Sequence, residues 1–178
     1  MMPGDISLIE RLRERALDPT RATDEHLDPG WTPPISHVAS PVLTPERLFE
    51  LEQEMGSGLP ELLRQVYTQV GEGNFGPGYG LMPFKDHKYT SSSAAVLPLY
   101  QSFLEKGWPE HLLMFCCWGC TIYSVINLQT EQVGVLDLEG WDESTPAEDC
   151  IFWQKSSLQD WFEAWLAGEN LFFELDEE

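Results

Sequence analysis

The stretch Leu59 to Phe84, LPELLRQVYTQVGEGNFGPGYGLMPF, decides how this chain is read. Pro60 suits the first helical position, where its missing N–H is not needed. Leu62, Leu63, Val66, Tyr67 and Val70 recur at helical spacing and form one apolar face. Gly71 stands where a helix takes a left-handed C-terminal residue. Gly73, Gly76, Gly78 and Gly80 follow, with Phe75 and Tyr79 flanking Gly76-Pro77-Gly78. Glycine reaches positive φ and proline locks φ, so the run predicts a fixed, tight backbone path. At least one of Gly76 and Gly78 is expected at positive φ. A dinucleotide loop would follow a strand and open a helix. This run follows a helix, contains Pro77 and Pro83, and the chain has no G-K-[ST]. It therefore reads as a structural turn rather than a phosphate cradle.

Working outward, Thr44 is an N-cap, Pro45 a first helical residue, and Leu48, Leu51 and Met55 the apolar face of a helix ended by Gly56. Asp5 to Leu17 reads as an N-terminal helix with Ile6, Ile9, Leu12, Ala16 and Leu17 as its stripe. Residues 18 to 43 carry five prolines and read as a linker, with Trp31 expected to tie it to the core. Pro98 is expected to open a third core helix with Leu99, Tyr100, Phe103 and Leu104 inward and Gly107 at its end. Leu112–Cys117, Cys120–Asn127 and Gln132–Leu138 read as strands, and Ile151-Phe152-Trp153 as a further short one. Ser156 or Ser157 caps a last helix with Leu158, Phe162, Trp165 and Leu166 inward, closed by Gly168. Helices, a run of strands, then a helix predict a single α+β domain, a mainly antiparallel sheet packed against helices.

The chain of 178 residues is 42% hydrophobic and 12% aromatic, which describes a globular protein able to bury a core. Its net charge is −20. From Gly107 onward there are fifteen acids against the single base Lys155, a charge of −14 that leaves −6 for the rest. Such a field repels nucleic acid and anionic membrane and attracts a basic partner. No stretch has the length of a signal core or a membrane span, so a cytoplasmic protein with four reduced cysteines is expected.

The glycine motif resembles the SUKH superfamily, in the branch related to a yeast regulator of cell-wall assembly. The matching elements are Leu59-Pro60, Tyr67, Gly71 to Asn74, and Phe75-Gly76-Pro77-Gly78-Tyr79-Gly80-Leu81. Trp108-Pro109-Glu110, Cys117-Trp118-Gly119-Cys120 with Ile122-Tyr123, and Ser157 to Leu171 follow in the order of that family. The likeness covers residues 41 to 171. Gly73-Asn74 inverts the more usual order, and Cys117 stands where histidine is common. The implied organisation is an N-terminal helix and proline-rich linker over 1–40, an α+β domain over 41–173, and an acidic tail over 174–178.

Cys117-x-x-Cys120, with Cys116 beside it, is the first candidate for chemistry. A structural zinc site wants four ligands, and neither Cys150 nor His111 supplies a second pair. A redox CxxC would open a helix, whereas this one lies between strand formers, with Trp118-Gly119 as a bend. His26, His37, His87 and His111 form no ligand spacing. No nucleophile elbow is present, and thirty acids make any carboxylate pair available by chance. No catalytic residue, metal or cofactor is therefore expected.

The strongest binding candidate is the loop where Asp137, Glu139, Asp142, Glu143, Glu148 and Asp149 surround Trp141. An aromatic ringed by carboxylates suits a lysine- or arginine-rich surface, and the competing reading is a solvated loop whose Trp folds back on the core. The resemblance implies a non-enzymatic immunity protein that binds and blocks a bacterial polymorphic or contact-dependent toxin, a nuclease being one candidate. Its basic site would complement the acidic charge. The alternatives are a regulatory protein–protein adaptor of the same fold and an enzyme using Cys117 or Cys120.

Overall fold

Among the described residues there are five strands and five α-helices, and each boundary has a local cause. The computed structural model describes residues 6–24, 39–85 and 94–172. Trp31, His26, His37, His87 and the acidic tail lie outside the described residues.

Helix α1 spans Leu8–Ala16 and opens on a capping box between Ser7 and Glu10. Leu12 and Ala16 are buried, whereas Ile6 and Leu17, expected in the same stripe, are exposed. Helix α2, Pro45–Met55, starts at Thr44, whose side chain accepts from Arg47 N–H, and stops at Gly56 with φ 80°. Helix α3 begins one residue later than expected, at Glu61, with Pro60 as its cap, and ends at Gln65. The chain then widens into a π-helical turn over Val66–Val70, closed by Gly71 N–H on the Val66 carbonyl at 3.1 Å. Thr68 Oγ1 donates to the Arg64 carbonyl at 2.9 Å, a back-bond that loosens helical geometry. Leu63, Val66, Tyr67 and Val70 are buried on one face, with Leu62 half-buried beside them.

Gly71 corrects the sequence reading. Its φ is 171°, extended rather than left-handed. Glycine is required for room instead: a Cβ would lie 2.6 Å from the Ser40 carbonyl oxygen and 2.8 Å from Ala39 Cβ. Gly76 and Gly78 do hold positive φ, at 118° and 62°.

Strand β1 (Gly80–Leu81) leads to α4 (Val96–Leu104), then β2 (Leu112–Cys117), β3 (Ile122–Asn127), β4 (Val133–Asp137), β5 (Phe152–Lys155) and α5 (Leu158–Leu166). Helix α4 starts two residues before Pro98 and buries Val96, Leu97 and Tyr100, with Leu99, Phe103 and Leu104 only half-buried. The sheet is an antiparallel meander in the order β1-β2-β3-β4-β5. Tyr123 pairs with Cys117 on one side and Leu136 on the other, and a bulge between Met114 and Cys116 shifts the β2 register. Asn127 Oδ1 closes the β3–β4 turn by accepting from the N–H groups of Gln129 and Thr130. Ser157 caps α5, which buries Leu158, Trp161, Phe162 and Trp165. Trp161 joins the expected inward set and its ring lies 5.1 Å from Phe115 of β2, while Leu166 is half-buried. Each such large apolar side chain contributes about 1.5–3 kcal/mol by leaving water.

Candidate partner-binding surface

Trp141 is held from below and above. It follows a 3-10 turn over Leu138–Gly140, and the Asp137 carboxylate caps that turn by accepting from Glu139 N–H at 3.0 Å. Its indole Nε1 donates to the Thr145 carbonyl at 3.0 Å. Its ring meets Trp108 edge-on at 5.2 Å and Phe103 at 5.7 Å. Trp108 is itself buried, with its indole N–H on the Leu112 carbonyl at 2.7 Å. Trp141 is therefore half-buried, one part packed on the core and the remainder open.

That open part borders a groove of about 560 Å³, lined by Phe103, Lys106, Leu138, Trp141, Asp142, Glu143 and Ser144. Trp141, Asp142 and Glu143 are the predicted site residues that meet there. Asp137 turns away, accepting from Thr121 Oγ1 at 2.6 Å. Glu148 lies 2.8 Å from His111 Nε2, and Glu139 and Asp149 are exposed outside the groove lining. Asp142 accepts from Ser144 N–H at 2.8 Å and from its hydroxyl at 2.5 Å, which holds its carboxyl below the ordinary carboxylate value. Sequence reasoning missed Phe103 and Lys106 as groove residues. Their spacing of three on α4 and its following turn was legible, but nothing local says that Trp141 packs there.

The glycine turn is mostly buried, with Tyr79 exposed. Phe75 and Leu81 are buried, Tyr67 OH donates to the Met82 carbonyl at 2.8 Å, and burial pushes the Tyr67 phenol up. The segment Ala22–Asp24 lies along the turn. Gly76 N–H donates to the Ala22 carbonyl at 2.8 Å, and Asp24 N–H to the Gly78 carbonyl at 2.9 Å. The Asp24 carboxylate accepts from Gly78 N–H at 2.9 Å and from Trp165 Nε1 at 3.0 Å. Arg15 is buried beside it, 3.6 Å from Asp24 and 3.8 Å over the Trp165 ring, with Nη1 on the Trp165 carbonyl at 2.6 Å. The turn motif, α1 and α5 are thus tied by one polar network, which the sequence did not announce.

All four cysteines are free thiols. Cys116 is buried against the Pro77 carbonyl, Cys117 is half-buried, and Cys120 is exposed. Burial raises the thiols of Cys116 and Cys117, the opposite of the lowered pKa that a nucleophilic cysteine needs. Among the described residues, no group of three or more His, Cys, Asp or Glu side chains is placed to hold a metal ion. No helix among them is long and apolar enough to cross a membrane.

An antiparallel meander with helices packed on it, and a glycine turn joining a helical face to the edge strand, defines a small α+β protein. The SMI1 / KNR4 family (SUKH-1) pattern matches residues 42–168, and the chain belongs to that family. The family includes immunity proteins, and its members are generally non-enzymatic modules that bind protein partners such as toxins. A comparison with curated proteins gives no match.

Proposed function

We propose that this chain is an immunity protein that binds and blocks a toxin domain with a basic surface in the cytoplasm. The proposed contact surface is the Trp141 loop, with Asp137, Glu139, Asp142, Glu143, Glu148 and Asp149 as its acidic rim. The observation that carries the reading is the groove itself. It sets the open part of Trp141 beside Asp142 and Glu143, neither of which is ion-paired with a cation among the described residues. Half-buried aromatics of this kind anchor interfaces, and rim carboxylates steer a basic partner toward them. The charge of −14 after Lys106 extends that field over the whole C-terminal part.

The test is binding kinetics against any toxin domain found encoded beside this gene, together with protection of cells expressing it. Association should slow as salt rises, because the Debye length falls to about 3 Å at 1 M. Asp142→Asn and Glu143→Gln should mainly slow association, and Trp141→Ala should mainly speed dissociation. Salt-independent association, with all three variants binding like the parent, would move the contact surface elsewhere. Absence of any protection would remove the immunity role.

A further inference from the structure

We propose that the Trp141 groove receives an arginine side chain of the partner, and that Lys106 is a resident cation which the arginine displaces. The inference rests on the protein-binding reading above and adds the chemistry of the anchor. The groove has an aromatic and apolar side, made by Phe103, Leu138 and Trp141, and a polar side made by Asp142, Glu143 and Ser144. Lys106 Nζ lies 4.8 Å from the centre of the Phe103 ring. That is inside the range of a cation–π contact, within about 6 Å. The free protein therefore already sets one positive charge against the aromatic side of the groove.

The charges do not balance. Lys106 is the one cation in the groove lining, against the two carboxylates of Asp142 and Glu143, so the groove is net negative. The hydrogen bonds from Ser144 favour the ionised form of Asp142. A guanidinium suits the site better than an ammonium: it is planar, stacks on aromatic faces, is weakly hydrated, and forks onto carboxylate oxygens. Lys106 has no ion pair among the described residues, so its chain can swing out when a better cation enters.

This arrangement predicts an unusual sign. Removing Lys106 should strengthen binding of a basic probe, by removing both a competitor and a like charge. An exposed cation–π contact corresponds to about two- to fivefold in affinity. The experiment is an NMR titration of the full chain, following the indole N–H of Trp141, assigned with Trp141→Phe. The probes are two capped tripeptides, Gly-Arg-Gly and its neutral isostere with citrulline in place of arginine. The arginine peptide should move the Trp141 signal in a salt-sensitive way, and the citrulline peptide should not. Lys106→Met should tighten the arginine peptide two- to fivefold, and Asp142→Asn with Glu143→Gln should weaken it. Equal response to both peptides, or unchanged or weaker binding in Lys106→Met, overturns the proposal. Arginine selectivity without protection from the toxin would sink the immunity role alone. Protection with a Trp141 signal indifferent to arginine would sink the groove assignment alone.

Discussion

Replacing Asp24 by alanine should destabilise the protein far more than a surface substitution, although Asp24 lies outside the matched span 42–168. Its carboxylate accepts from Gly78 N–H and from Trp165 Nε1, at 2.9 and 3.0 Å, and faces Arg15 Nη2 at 3.6 Å. A hydrogen bond to a charged acceptor contributes about 1.5–3 kcal/mol. The Asp24 side chain is 23% exposed, so water replaces part of what is lost. Arg15 is 10% exposed and keeps the Trp165 ring and the carbonyls of Trp165 and Arg21, with no ion-paired carboxylate left among the described residues. Breaking a buried pair by removing one partner costs about 3–5 kcal/mol, and the partial exposure of Asp24 puts the expected loss near 3. For a chain of this size, that lowers Tm by about 6–12 °C. The assay is thermal and urea unfolding of Asp24→Ala, Asp24→Asn and Arg15→Met, with the double variant Asp24→Ala/Arg15→Met. Asp24→Asn keeps one acceptor oxygen and should lose about half as much. A Tm drop under 2 °C for Asp24→Ala, or single effects that add in the double variant, would refute the reasoning, since contacting residues do not add.

Gly78→Ala should also be strongly destabilising. The residue holds φ 62°, and an added Cβ would lie 2.7 Å from the Trp118 ring. Left-handed strain and overpacking together amount to about 2–5 kcal/mol. Gly76→Ala, whose Cβ would meet Leu81 at no less than 3.4 Å, should lose less, through its φ of 118° alone. A parental unfolding midpoint for Gly78→Ala would contradict this, and binding lost by either variant without loss of stability would make the turn a ligand site. Acid sensitivity should trace in part to Glu163, whose carboxyl the Arg11 guanidinium holds below the ordinary value of 4.5 through two hydrogen bonds. The stability this contributes is present above pH 4.5 and is lost as pH falls from there through the lower folded-state value. Arg11→Met should therefore differ from the parent at pH 7 and converge on it under acid. A difference that stays constant from neutral to pH 3 would exclude the linkage.

Element type was legible in the sequence because its causes are local. The Thr44 cap, a cap at Ser156 or Ser157, the stops at Gly56 and Gly168, and the apolar run Leu112–Cys117 depend only on neighbours in the chain. A positive φ at one or the other of Gly76 and Gly78, beside a proline that locks its own φ, was legible too, and both hold it. The cluster of Trp141, Asp142 and Glu143 was visible for the same reason. Its companions in that loop were not separable by composition. Asp137 and Glu148 look like the others in sequence, but Thr121 and His111 engage them in space.

The remaining features were decided by which distant segments meet. Gly71 is glycine because Ala39 and Ser40 approach it, not because a helix ends there. Arg15 reads as a surface residue of α1 until Asp24 and Trp165 enclose it. The groove exists because α4 and the β4–β5 loop bring Phe103 and Lys106 beside Trp141. Side-chain periodicity names the face of an element that will be buried. It carries no information about the partner across that face, which only the packing of the whole chain selects.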